Sequence, residues 1–355
     1  MSEIDLVTAL SEKPSDDNKS AWQAFFNDTV MPFWRQHVQM HDMERPHNVT
    51  LRYFHIFPKN AKAVVLLSPG RIEGAIKYPE LVWELAQLGY ATAIVDHRGQ
   101  GYSDRLGAHE HNGHVDRFDD FVDDFAAFTR ATEAAVQEHY GKELPLQLVA
   151  HSMGGAIAAL YLARYPHKVK NAVLCSPMFG IQTGKIPHWL AAGFAHAGAA
   201  LNNLLMPKRP WFIIGTGEYV EVPFAQNELS QSLARYQTFR QLYQDHPEVK
   251  LGGPSFRWVS QALSASRQAI SEAADIHIPV LVLQAGSDTV VDPRGQAEFV
   301  CALSHPQSRL EVIPGARHEL FIEADVYRQP TLEQTVAWFQ ETRSSQEQQK
   351  ADPCE

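Results

Sequence analysis

The sequence predicts an α/β protein, with a mostly parallel central sheet covered by helices on both faces and a mainly helical insertion late in the chain. Three observations lead there. Between residues 63 and 174, short unbroken apolar runs alternate with helical patterns, as strands buried on both faces do when helices connect them. The alternation stops after Leu174 and resumes at Pro279. At Ser152 an apolar run, 146–150, meets a helical pattern, 155–164, across a tight turn.

Residues 1–20 are polar and acidic and are expected to be disordered. The core begins at residue 21. Trp22, Phe25, Phe26, Val30, Phe33 and Trp34 recur at three- and four-residue steps, which predicts an amphipathic helix kinked before Pro32. Its apolar face either packs on the main domain or touches lipid. A strand over 50–57 is turned by Pro58, Lys59 and Asn60. The buried strand 63–67 then runs into Ser68, Pro69, Gly70 and Arg71. A helix over 79–88 ends at Gly89, and the strand 91–95 leads into the turn 96–103. Strand, helix and strand at this spacing make a βαβ unit.

The helix 114–140 carries Phe118, Phe121, Val122, Phe125 and Phe128 on one stripe. Asp116, Asp119, Asp120, Asp123 and Asp124 occupy its early turns, where carboxylates complement the helix dipole, and read as a solvated face rather than a metal cluster. After strand 169–174, residues 176–275 hold irregular Pro, Gly, Trp and Phe with helical patches at 189–205 and 229–242. This stretch is expected to form a cap over the carboxyl ends of the strands. The core, first built from 21–175, resumes over 276–343 with strand 279–284, helix 293–304, strand 310–313 and closing helices around Phe321 and 327–341. The polar tail 344–355 is expected to be disordered.

Composition narrows the function. A formal net charge of -10 argues against nucleic acid, which calls for a basic face. The 17 histidines are scattered without metal-ligand spacing, and no cofactor or metal is called for. Cys175, Cys301 and Cys354 make no disulfide framework and fit a reducing compartment. The acidic start lacks an apolar segment, so no signal peptide is expected. No apolar run is long enough to span a bilayer. The expected location is the cytoplasm, with peripheral attachment to the inner leaflet left open.

Ala150-His151-Ser152-Met153-Gly154 matches the strand–turn–helix of a nucleophile elbow, with Ala150 at its first position and Gly154 at its last. A serine that merely caps the helix is the alternative. A serine needs a base to take its proton, and the base needs an orienting acid. Asp288 follows the strand 279–284 on a Gly286-Ser287 bend and is the acid chosen. Asp292, beside Pro293 at a helix start, is better explained as a cap. His318, in the loop after the last strand, is the base. Charge developing on an acyl oxygen needs two backbone donors. Met153 N–H is one, and Arg71 N–H, after the bend at Gly70, is the other. The turn 96–103 has glycines but lacks the dinucleotide-binding order, and reads as a buttress for the site.

With these pieces in place, the chain resembles the monoacylglycerol lipase-like branch of the α/β-hydrolases, and within it the bacterial lysophospholipases, over residues 20–340. The resemblance lies in Ser68-Pro69-Gly70-Arg71-Ile72-Glu73, Asp96-His97-Arg98-Gly99-Gln100-Gly101-Tyr102-Ser103, Ala150-His151-Ser152-Met153-Gly154-Gly155, Gly286-Ser287-Asp288 and Gly315-Ala316-Arg317-His318-Glu319. It implies an α/β-hydrolase fold, a Ser152–His318–Asp288 triad, and a lysophospholipid or other monoacyl lipid as substrate. It also implies peripheral contact with the inner membrane. Relatives commonly carry His-Gly at Pro69-Gly70 and Gly at Ala150; both departures belong to the lysophospholipase subgroup and narrow the substrate.

A monoacylglycerol lipase or general carboxylesterase is the alternative. Further from it stand an aminopeptidase using Glu218 and Glu221, and a non-catalytic hydrolase-like binding protein. In the cap, Trp189, Phe194, Leu190, Leu201, Leu204 and Leu205 are candidates to line an acyl channel. Lys185, Lys208 and Arg209 at its rim, and Arg71, are candidates to meet a phosphate.

Overall fold

The computed structural model describes residues 10, 13–107, 109–182, 184 and 187–351, the side chains of 188 and 343–351 excepted. Its strands are β1 (Gln39–Arg45), β2 (Val49–Ile56), β3 (Ala63–Ser68), β4 (Tyr90–Asp96), β5 (Leu146–His151), β6 (Val169–Cys175), β7 (Val280–Ala285) and β8 (Arg309–Ile313). They form one sheet in the order β1-β2-β4-β3-β5-β6-β7-β8. β1 pairs antiparallel with β2, and β2 with β4; every other pairing is parallel. β1 has no apolar run to announce it, because an edge strand leaves much of itself to solvent. Its hairpin turns at His47 and Asn48, both left-handed in φ.

β3, β4 and β5 are buried along their whole length, because helices cover both faces of the sheet. One face carries α4 (Asp119–Tyr140) and α5 (Met153–Arg164), whose Phe121, Phe125, Ile157 and Leu160 pack with Leu66 and Leu148. The other carries α1 (Lys19–Phe25), a π-helical turn (Phe26–Val30), α2 (Met31–His37), α3 (Pro79–Gln87) and α10 (Asp325–Ala351). Trp22, Phe26, Val30 and Trp34 are buried there with Val65, Ile94, Trp338 and Phe339, so the N-terminal aromatics belong to the core.

Both ends expected to be disordered are ordered further than expected. Residues 13–20 are docked rather than disordered. Lys13 Nζ stands 2.7 Å from both Glu80 and Glu84, and the Asp16 and Asp325 carboxylates each accept the other's N–H, at 3.0 and 2.9 Å. These contacts extend a buried charge cluster in which Arg328 meets Glu84 (2.6 Å) and Arg235 meets Glu80 (2.8 Å). At the other end α10 continues to Ala351, into the tail read as disordered from residue 344.

The insertion supplies α6 (His188–Leu205) and α7 (Leu233–Asp245). Its last helix, α8 (Phe256–Ser271), sides with the core: Trp258, Ala262, Ala265 and Ala269 pack in the cluster that holds α5. The covering segment thus gives way to the core near residue 255 rather than 275. α9 (Pro293–Ala302) returns the chain to β8.

Candidate active site

Five strands end together at one edge of the sheet. Ser68 stands beside Ala150, His151 beside Cys175, Cys175 beside Leu283, and Ala285 beside Ile313. The loops after β3, β5, β7 and β8 therefore open side by side, at the carboxyl edge where such sheets bind ligands.

Ser152 leaves β5 with φ +52° and ψ −118°. That backbone is strained for a residue with a side chain and persists only where its surroundings hold it. Here Ser152 N–H donates to Cys175 O at 3.1 Å, and Ser152 O accepts from the N–H groups of Met178 and Gly155, each at 2.9 Å. Glycine lets the corner close. A Cβ at 154 would stand 2.1 Å from Ser68 O, and one at 155 would stand 2.6 Å from the Pro177 side chain.

The Ser152 side chain does not cap α5. Its Oγ–H donates to His318 Nε2 at 2.9 Å, and His318 Nδ1–H donates to Asp288 Oδ2 at 2.7 Å. Asp288 Oδ1 accepts the N–H groups of Val290 (2.8 Å) and Val291 (3.1 Å), which fix the carboxylate. Burial pushes the Asp288 carboxyl up, but the His318 bond and charge, with the two backbone donors, outweigh it. They hold it below the usual carboxylate range. Asp292 is engaged elsewhere, accepting Arg294 N–H at 3.0 Å as the cap of α9.

The loop after β3 lies against this corner: a Cβ on Gly70 would stand 3.2 Å from Ser152 Cβ. Gly70 N–H is taken by Glu73 Oε2 at 2.5 Å, which leaves Arg71 as the next donor along the loop. Met153 N–H opens α5, where the first N–H groups have no intrahelical acceptor. The turn after β4 holds the loop from behind. Gln100 Nε2 donates to Gly70 O (2.7 Å) and Glu73 O (2.8 Å), and Asp96 accepts from Ala75 N–H (2.6 Å) and Tyr102 N–H (2.7 Å). Arg98 anchors that turn on Asp124 at 2.6 and 2.8 Å. Asp124 is thus a buried ion-pair partner rather than part of a solvated face.

Sequence reasoning missed the group beneath the loop. Glu73 Oε2 accepts from Tyr78 OH (2.6 Å) and His151 Nδ1 (3.0 Å), while Lys77 bridges Glu73 (3.0 Å) and Glu319 (2.5 Å). His151 Nε2 donates to His318 O at 3.1 Å. Both acceptors of His151, a carboxylate and a carbonyl, only accept, so both ring nitrogens carry protons and His151 is an imidazolium. Burial works against that charge, but Glu73 outweighs it and raises the His151 pKa. The sequence signal available was Glu73 and Lys77 four residues apart, just inside the loop.

A raised folded-state value gives His151 a stabilising contribution that is full below about pH 6.5 and lost as pH rises through the folded value. The urea midpoint is therefore expected to fall as pH is taken upward from neutrality, and Glu73→Gln to flatten that slope. An unaltered slope in the variant would contradict the pairing.

The cap residues differ from expectation. Trp189 is 76% exposed and Phe194 49%, the latter edge-on to Phe256 at 5.5 Å; Lys208 and Arg209 are exposed beyond the end of α6. The buried stripe of α6 is its small one: Ala195 and Ala199 are buried, and a Cβ on Gly198 would stand 2.3 Å from the Phe256 ring. Close approach to α8 selects small residues, so the bulky ones, Trp189, Leu201, Leu204 and Leu205 included, are left exposed to solvent. Lys185 lies outside the described residues. Glu218 pairs with His111 (2.8 Å), and Glu221 accepts from Gln244 (3.0 Å).

The sequence model of the Hydrolase_4 family, described as serine aminopeptidase, S33, matches residues 59–325, which span all four loops of the site. The chain belongs to that family. Within this S33 family it stands on the lysophospholipase L2 and monoacylglycerol lipase-like branch. It is 37% identical to Lysophospholipase L2 of Escherichia coli (strain K12), covering 92% of this chain and 95% of that one. It is 33% identical to Probable lysophospholipase L2 of Haemophilus influenzae, covering 85% and 92%. A soluble variant of monoglyceride lipase from Saccharomyces cerevisiae superposes with a TM-score of 0.67 at 19% identity, over 86% of this chain and 96% of that one. The S33-family chain has the α/β-hydrolase fold.

Proposed function

We propose that the protein is a lysophospholipase, a serine hydrolase that cleaves the acyl ester of a lysophospholipid to a free fatty acid and a glycerophospho head group. The observation that carries this reading is the Ser152–His318–Asp288 relay at the strand ends, in a chain so similar to Lysophospholipase L2 of Escherichia coli. In the proposed reaction Ser152 Oγ attacks the acyl carbonyl while His318 Nε2 takes its proton. The N–H groups of Met153 and Arg71 receive the oxyanion. Asp288 keeps His318 in the productive tautomer and stabilises its imidazolium. His318 then returns the proton to the departing glycerol oxygen, and water activated by the same nitrogen releases the fatty acid from Ser152. None of these steps requires a cofactor.

Peripheral contact with a lipid surface belongs to the same reading. Among the described residues no helix is long and apolar enough to cross a membrane. The outward side chains Trp189, Leu204 and Ile214, each more than three-quarters exposed, would instead rest on the surface, with Lys208 and Arg209 turned to anionic head groups. Binding an amino terminus would need a free carboxylate at the pocket, and Glu218 and Glu221 are exposed and already partnered.

A hydrolysis panel tests the reading. Lysophosphatidyl lipids are expected to be turned over with the highest kcat/KM, ahead of monoacylglycerol, short nitrophenyl esters and aminoacyl amides. Preference for either of the last two would overturn it. Run with lysophospholipid as monomer and as micelle, the panel should show Trp189→Ala/Leu204→Ala losing activity on micelles only.

A further inference from the structure

Arg71 reaches the site at two ends. Its backbone belongs to the loop beside Ser152, and its side chain runs to the seam between that loop and the cap. Nη1 donates to Gly252 O at 2.9 Å, and the guanidinium carbon stands 5.3 Å from the centre of the buried Trp258 ring. A Cβ on Gly113 would come within 3.0 Å of Nη1, so the third wall is glycine. An aromatic face and a carbonyl on a planar cation fix its direction as well as its place.

What this cation lacks is an anion. Among the described residues no carboxylate stands within ion-pair distance of Arg71, whereas Arg98, Arg235 and Lys77 each meet at least two. Glu218 is an acid of the neighbouring cap segment. It follows Gly217, whose carbonyl accepts Gly253 N–H at 2.7 Å, but its carboxylate is turned to His111. Burial without a counter-charge presses the Arg71 pKa down to about 10, where the group is still charged at neutral pH. A half-buried cation, held against an aromatic face with one nitrogen bonded to a carbonyl and no carboxylate beside it, is an arrangement that an anionic ligand completes.

We propose that the Arg71 guanidinium receives the phosphodiester of the lysophospholipid head group and so selects phospholipid over neutral glyceride. The proposal rests on the lysophospholipase reading and deepens it. With the ester carbonyl between Ser152 Oγ and the loop N–H groups, the phosphate lies beyond the three glycerol carbons, within one side-chain length of that loop. Lys77, a buried cation near the loop, is held between Glu73 and Glu319. A guanidinium can meet two phosphate oxygens in parallel, whereas the terminal hydroxyl of a monoacylglycerol gives it a neutral acceptor only.

The test compares wild type, Arg71→Met and Arg71→Lys on a lysophospholipid and a monoacylglycerol with the same acyl chain. The backbone N–H survives both substitutions, and any loss common to the two substrates cancels in their ratio. The lysophospholipid-to-monoacylglycerol ratio of kcat/KM is expected to fall about 10- to 100-fold in Arg71→Met, mostly through KM, with Arg71→Lys between the two. Glycerophosphocholine, which has no acyl ester, should inhibit monoacylglycerol hydrolysis by wild type and lose that inhibition in Arg71→Met. Equal losses on both substrates would make Arg71 a tether to Gly252 and overturn the proposal, as would an unchanged ratio. Failure of the function reading looks different: wild type would cleave the glyceride and leave the lysophospholipid intact.

Discussion

Ser152→Ala is expected to abolish ester hydrolysis while leaving the fold in place. The hydroxyl makes one side-chain hydrogen bond, to His318 Nε2, and takes no part in capping α5. The corner itself is held by backbone groups and by the glycines at 154 and 155, none of which the substitution touches. Alanine at φ +52° keeps the existing backbone strain without adding to it. Removing the nucleophile of a well-studied serine protease lowers kcat about 10⁶-fold, and a loss on the order of 10⁵ to 10⁶ is expected here. A fluorophosphonate probe should label wild type and leave the variant unlabelled, with both melting at closely similar temperatures. Labelling of the variant would remove Ser152 from the nucleophile's role.

What sequence made legible follows from how buried strands read. β3 to β7 are apolar runs because helices cover both their faces, and Ser152 and Asp288 sit just past the ends of two of them, while His318 follows the more exposed β8. β1 was hidden because an edge strand such as Gln39–Arg45 has no apolar signature. The start of α4 came five residues late because Val115 and Phe118 are buried in the bend before it, where their spacing imitates a helical stripe. Asp124 was misread because its partners, Arg98 and Arg45, lie 26 and 79 residues away, and nothing local separates it from its solvated neighbours. His151 has the same difficulty, since its charge depends on Glu73, 78 residues upstream. The cap failed for another reason. Bulky apolar residues suggest an inward face unless two helices meet so closely that only alanine and glycine fit, as at Gly198 against Phe256.

Asp288→Asn is expected to lower kcat by about 10⁴-fold, and Asp292→Asn to leave it nearly normal. The two acids are four residues apart in one loop, yet they do different things. Asp288 Oδ2 accepts from His318 Nδ1, and its other oxygen is pinned by two backbone N–H groups, so the carboxylate can neither rotate away nor be replaced by a neighbour. An asparagine held in the same pose would present either an oxygen without charge or an NH₂ group facing the Nδ1 proton. The second choice drives His318 to the tautomer in which Nε2 carries the proton and cannot accept one from Ser152. The corresponding substitution in a serine protease gives the magnitude. Asp292 instead accepts Arg294 N–H at the start of α9, and losing that cap should cost about 1 kcal/mol of stability. The pH dependence of stability separates them further. The folded-state pKa of Asp288 is depressed, so its stabilising contribution is present above about pH 3.9 and lost as pH falls through the lower folded value. Asp288→Asn should remove that part of the acid unfolding profile. Steady-state kinetics with a soluble ester, read beside urea midpoints from pH 3 to 7, distinguish the two acids. A catalytically dead Asp292→Asn beside a nearly normal Asp288→Asn would overturn the assignment.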